Sequence, residues 1–135
     1  MAQEIARDFF IYGANFLALA PGVSATQSIS IQADSDFVVQ KLAYRADVAA
    51  AGQTQSTRVI PLTTILITDT GSGRQLMNQA INMADFFGTG ESPFILPQPK
   101  IFRANTLISI TLANFDAAQT YNIRLSFIGV KSFQG

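Results

Sequence analysis

Asp34 and Asp36 stand one residue apart, the spacing that opens a calcium-binding loop. Such a loop also needs a glycine, a third oxygen ligand and a closing glutamate at set positions, and none follows here. A turn that caps the start of a strand accounts for the pair better. Gly71-Ser72-Gly73 is a glycine cluster without the Gly-Lys-Ser/Thr that cradles phosphates, and a hairpin turn explains it. Glu4 and Glu91 are the two glutamates, both expected on an arm or loop, so no paired-carboxylate hydrolase site is expected. Asn114 and Asp116 read as a solvated loop. Histidine, cysteine and tryptophan are absent. The commonest general base, thiolate nucleophiles, Cys/His zinc sites and disulfides are therefore excluded. The expectation is a protein that is not an enzyme and has no catalytic residue, cofactor, metal or small-molecule substrate.

Charge narrows the partners. Nine basic residues balance nine acidic ones in 135 residues. No basic field exists to gather phosphates, and nucleic-acid binding is not expected. Six of the basic residues are arginines, and Arg58, Arg74, Arg103 and Arg124 are scattered among the expected strands. An outward arginine such as Arg124 either faces solvent or pairs with a partner's carboxylates. Eleven Gln, 6 Asn, 11 Thr and 10 Ser occupy places where charges usually sit, which suits a surface that packs against protein. No apolar run reaches the ~20 residues of a membrane-spanning helix, and the start lacks the pattern of a signal peptide. A soluble protein made in a cytoplasm is expected, with no membrane partner.

The elements that position these residues alternate with period two. Ser28 to Ala33 places isoleucines on one side and polar groups on the other. Phe37 to Val48 sets Val38, Leu42 and Tyr44 against Lys41 and Arg45. Ala49 to Ser56 reads as a loop. Thr64 to Asp69 is apolar on both faces at Leu66, as in a central strand or one covered by a partner. Arg74 to Met77 returns as its hairpin partner across the Gly71–Gly73 turn. Asn78 to Phe87 reads equally as a short helix or an irregular strand. Phe94-Ile95-Leu96 is a short strand before Pro97-Gln98-Pro99. Leu107 to Leu112 turns Ile108, Ile110 and Leu112 inward, and Tyr121 to Val130 turns Tyr121, Ile123, Leu125 and Phe127 inward. Gly129 predicts a bulge or a close backbone approach. Seven or eight short strands with no firm helix predict one all-β domain, a β-sandwich or closed barrel.

Residues 1–22 differ, being dense in large apolar groups with poor alternation. They predict a first strand preceded by about eight residues that either fray or form an arm ordered on a neighbouring subunit, fraying being the stronger reading. The rest of the all-β domain is then residues 23–135. Candidate oligomer or partner contacts are Phe9, Phe10 and Tyr12 in the first segment, Ile65, Leu66 and Ile67 in the doubly apolar strand, Met77, Met83 and Phe86 in the ambiguous segment, and Arg124.

The run from Phe87 to Pro99, then Ile101-Phe102, Asn105 to Asn114 and Tyr121 to Lys131 resembles the C-terminal half of the jelly-roll cement, or decoration, proteins of tailed-bacteriophage capsids. The shared pattern is a proline-flanked segment, a turn, a strand ending in Asn, a short loop, and a last strand ending in Gly-x-Lys. The resemblance covers residues 87–131, and the first half matches only in rhythm and in its aromatic-rich start. It implies an antiparallel jelly roll of about eight strands. It also implies a dimer or trimer on the outer capsid surface, clamping major capsid proteins of the HK97-like fold. Another structural virion component and a carbohydrate-binding jelly roll are the alternatives. The second is weakened by the absence of Trp and by Tyr44 and Tyr121 falling on inward faces.

Overall fold

The computed structural model describes residues 5–48, 59–71, 73–83, 87–89 and 92–134. Nine strands are found there: β1 (Ile5–Leu19), β2 (Ser24–Ser30), β3 (Asp36–Val48), β4 (Thr63–Asp69), β5 (Arg74–Gln75), β6 (Ile81–Asn82), β7 (Phe94–Phe102), β8 (Leu107–Asn114) and β9 (Tyr121–Gln134). They form two antiparallel sheets packed face to face. One runs β1-β9-β3-β7 and the other β2-β8-β4-β5, with β6 beside β5 along the same flank of β4. That interleaving, in which the chain changes sheet at every step except β4-β5-β6, is the jelly roll.

Alternation selects the core. Tyr12, Ala14 and Phe16 of β1, Leu42, Tyr44 and Ala46 of β3, Ile65 and Ile67 of β4, Ile108, Ile110 and Leu112 of β8, and Tyr121 to Phe127 at every second position of β9 are buried between the sheets. β4 is a central strand, with β8 on one side and β5 and β6 on the other. Its positions 63, 65, 67 and 69 are buried, while Leu66 lies half-buried on the outer face. At one end Phe10, Tyr12 and Phe37 meet edge to face with centroids 4.7–6.4 Å apart. Such contacts add about 0.5–1.5 kcal/mol each beyond burial.

Several expectations are corrected. Val38 does not share a face with Leu42 and Tyr44. The ladder passes from Val39↔Gly129 to Lys41↔Ile128, so Gln40 is an extra residue in β3. One inserted residue exchanges the two faces of a strand. Phe37 and Val39 point inward before it, and Leu42 and Tyr44 after it. Gly129, directly across, is the close approach expected, since a Cβ there would overlap the Val38 carbonyl oxygen. Pro97 and Pro99 do not end a strand. β7 continues to Phe102, and residues 96–99 leave the ladder between Lys100 and Ile95. Proline is tolerated there because β7 is an edge strand and needs no inward N–H at those places. Residues 5–8 are paired with β9 and belong to the strand. Within the ambiguous segment, Ile81–Asn82 forms a short strand and the Phe87 N–H donates to the Met83 carbonyl. The loop expected over Ala49–Ser56 lies outside the described residues.

Asn114 is not a solvated loop residue. It is buried, and its amide donates to the Leu19 and Gln119 carbonyls while its oxygen accepts from the Asp116 N–H. Asp116 in turn accepts from the Tyr121 hydroxyl at 2.6 Å and from the Ala118 and Gln119 N–H groups. These donors, Tyr121 first, hold its carboxyl below the ordinary value of 3.8. Burial, then the bond to Asp116, pushes the Tyr121 hydroxyl above 10.0. A lowered acid stabilises above its unfolded value, and the effect is lost as pH falls through the native value. Thermal melts of wild type and Asp116→Asn should therefore differ by a constant gap from pH 5 to 8. The gap should close below about pH 4.

Candidate protein-interaction face

The outer faces of the two sheets differ in chemistry. On the β2-β8-β4 sheet, cross-strand neighbours are Ser28, Ser109 and Thr68; Thr26, Thr111 and Leu66; and Ser24, Ala113 and Thr64. Thr26 and Thr111 share a hydrogen bond of 2.9 Å. These rows are hydroxyl-rich and carry no charge.

The β1-β9-β3-β7 sheet is different. Its register aligns Phe9, Val130, Val38 and Ile101 in a row across all four strands. The next row is Ile11, Ile128, Lys41 and Ile95. Directly opposed residues of an antiparallel ladder point to the same face, and here it is the outer one. Phe9 is 70% and Ile95 66% exposed, and Ile11 and Ile101 are also open to solvent. Val38, Ile128 and Val130 fill the middle, half-buried.

Polar rows bound this band on both sides. Arg7, Ser132 and Asp36 align on one flank, where Asp36 binds Arg103 Nη1 at 2.9 Å and caps the Ala104 N–H. On the other, Asn15, Arg124 and Arg45 align beyond the small row Gly13, Ser126 and Ala43. Arg45 holds the fully buried Asp47 through two bonds, of 3.0 and 3.3 Å. An apolar centre within a polar, hydrogen-bonding rim is the anatomy of a protein contact surface. A contiguous apolar patch crossing four strands is more than the scattered exposure expected of any soluble domain.

The candidates named from sequence fall in several places. Phe9 lies in the apolar band and Arg124 on its rim. Phe10 points inward beneath Lys131, whose Nζ sits 4.2 Å from the ring centroid and binds Gln32 and Asp34. Tyr12, Ile65 and Ile67 are core residues, buried because their strand phase faces the opposite sheet, and Met83, just past β6, is buried with them, so none presents a surface to a partner. Leu66 sits on the hydroxyl-rich face. Met77 is half-buried, its sulfur 3.3 Å from the Ile67 N–H. Phe86 lies outside the described residues. Ile11, Val38, Ile95, Ile101, Ile128 and Val130 were missed. All but Val38, displaced by the extra residue Gln40, alternate correctly within their own strands, but their alignment into rows depends on pairings between strands far apart in sequence.

Five of the six described carboxylates serve structural bonds: Asp34 with Lys131, Asp36 with Arg103, Asp47 with Arg45, Asp69 with the Gly71 N–H, and Asp116 with Tyr121. All three tyrosines are buried. Among the described residues no three or more His, Cys, Asp or Glu side chains gather as a metal site.

No family model matches the chain, and no curated protein matches it. Two solved structures do. The VP2 subviral particle of infectious bursal disease virus matches 97% of this chain at 13% identity and a TM-score of 0.36. The structure of the Gt strain of that virus matches 98% at 11% identity and a TM-score of 0.25. The chain spans 33% and 37% of those chains, about a third of their length. The jelly roll itself is identified by the strand order.

Proposed function

We propose that this protein is a structural component of a virion, and more specifically a cement protein. In this reading it binds the outer surface of a phage head and ties neighbouring HK97-like major capsid proteins together. The observation that carries the reading is the apolar band Phe9-Val130-Val38-Ile101 and its neighbouring row, on a rigid sheet with a polar rim. The resemblance of residues 87–131 to cement proteins supplies the partner. A clamp needs a stiff scaffold, a surface that prefers protein to water, and bonds that hold under internal pressure. The packed two-sheet core meets the first need, and the apolar band with arginines along its rim meets the others. No cofactor, nucleic acid, membrane or small substrate enters this role, and no catalysis is proposed.

Co-sedimentation of the purified protein with empty heads tests it, using heads of the phage that encodes the chain. Saturable binding at a fixed ratio to the major capsid protein is expected. Phe9→Ser and Ile95→Ser combined should weaken that binding about 100-fold, as loss of two large exposed apolar anchors does. Both side chains are mostly exposed, so melting should stay within about 2 °C of wild type. Heads that leave the protein in the supernatant would refute the cement role. Unchanged binding by the double variant would move the contact to another face.

A further inference from the structure

The edges of the sandwich are finished unequally. β7 breaks its ladder with a four-residue excursion containing two prolines, which carry no N–H to offer a neighbour. On the other sheet β5 is only two residues long, and the other edge, β2, has seven. β1 has fifteen residues, no proline and no lysine. Among the described residues, β9 lines one side of β1 and no strand lines the other. Its one charged pair, Arg7 and Asp8, is balanced. Long edges without a blocking device pair with further strands.

We propose that β1 pairs antiparallel with β1 of a second copy across a twofold axis, joining two four-stranded sheets into one of eight strands. An antiparallel edge satisfies its own copy under twofold symmetry, so no second surface is required. The register follows from the strand. Its regular ladder ends at an extra residue between Phe16 and Leu19, where Ala18 adopts φ 55°. The straight part, residues 5–17, is centred on Ile11, which places Ile11 opposite itself and Phe9 opposite Gly13 of the second copy. A Cβ at Gly13 would meet nothing nearer than the Leu125 carbonyl oxygen at 3.7 Å, so the glycine is open on that face and leaves room for the aromatic ring. The outer faces of both copies then lie on one side, and their apolar bands run together.

Thirteen paired residues span about 43 Å, and a sandwich edge is about 10 Å deep, so each copy contributes about 400–500 Å². That is below the ~800 Å² per partner of a standard interface, so the dimer dissociates on dilution. The pairing rests on the edge alone and goes beyond the virion role, so it is tested on the free protein.

The chain has no cysteine, so single cysteines report without background. Arg7→Cys, Phe9→Cys, Ile11→Cys, Gly13→Cys and Asn15→Cys are each treated with a short bis-maleimide, with Ile95→Cys on β7 as control. Light scattering of the wild-type chain across a concentration series runs alongside. Cross-linking should peak at Ile11→Cys, at least tenfold faster than at Ile95→Cys, and the wild-type mass should rise from 14.6 kDa toward twice that value. A peak one position to either side supports the pairing with a shifted axis. Equal rates at Ile11→Cys and Ile95→Cys, or a monomeric mass at every concentration, would overturn it. Head binding by a chain that never dimerises would leave the cement reading standing and remove this one alone.

Discussion

Gly129→Ala is expected to destabilise the protein by about 3–5 kcal/mol, the upper range for a single substitution. For a chain of this length that lowers the melting temperature by about 10–20 °C. The added Cβ would overlap the Val38 carbonyl oxygen and stand 2.9 Å from its carbon and 3.1 Å from the Val39 Cα. All three are backbone atoms of the neighbouring strand, so no side chain can turn away to make room. Relief requires parting β3 from β9, the two strands at the centre of their sheet. Gly13→Ala is the internal control. Its nearest neighbour would be an oxygen at an ordinary 3.7 Å, and its melting temperature should change by no more than about 3 °C. Circular dichroism melts of both variants decide the matter, and a Gly129→Ala protein as stable as wild type would show that the two strands are not held this closely.

The second large effect is expected at Arg45. Its guanidinium holds the carboxylate of the fully buried Asp47 through two bonds. Removing the guanidinium takes two charge-assisted bonds from a carboxylate that water cannot reach, at a cost of about 1.5–3 kcal/mol. Arg45→Met should therefore lower denaturant stability by about that much, while the double variant Arg45→Met/Asp47→Asn should recover at least about 1 kcal/mol. A double variant less stable than Arg45→Met would mean that other neighbours carry the aspartate. The pair also shapes the proposed contact face, because it fixes one end of the polar rim.

These two sites show what was legible and what was not. Gly129 was legible because a glycine amid alternating β-branched and aromatic residues has no local purpose, and close approach is the common remaining one. The partner was not legible, because Gln40 and the bulge it makes are defined only when β3 lies beside β9. Val38 was assigned to the wrong face for the same reason. Asp47 gives no sign of burial in a strand that also carries Lys41 and Arg45. Pro97 and Pro99 pointed to a break, and the strand continues because an edge can lose hydrogen bonds that a central strand cannot.

The candidate surface divides along the same line. Phe9 and Arg124 stood out locally. Ile65, Ile67, Tyr12 and Met83 stood out for the same reason, their size and apolarity, and the structure spends them on the core. Period-two alternation and the turn residues were enough to determine an all-β fold and which residues of β8 and β9 face inward, while the choice between sandwich and barrel stayed open. Those are local properties, set by steric preference and by the two-residue repeat of a strand. Which strands become neighbours, where one extra residue exchanges the faces, and whether four separate apolar side chains align as a row are properties of long-range pairing. Phe9, Val38, Ile101 and Val130 are far apart along the chain and become one surface only through the register of β1, β3, β7 and β9.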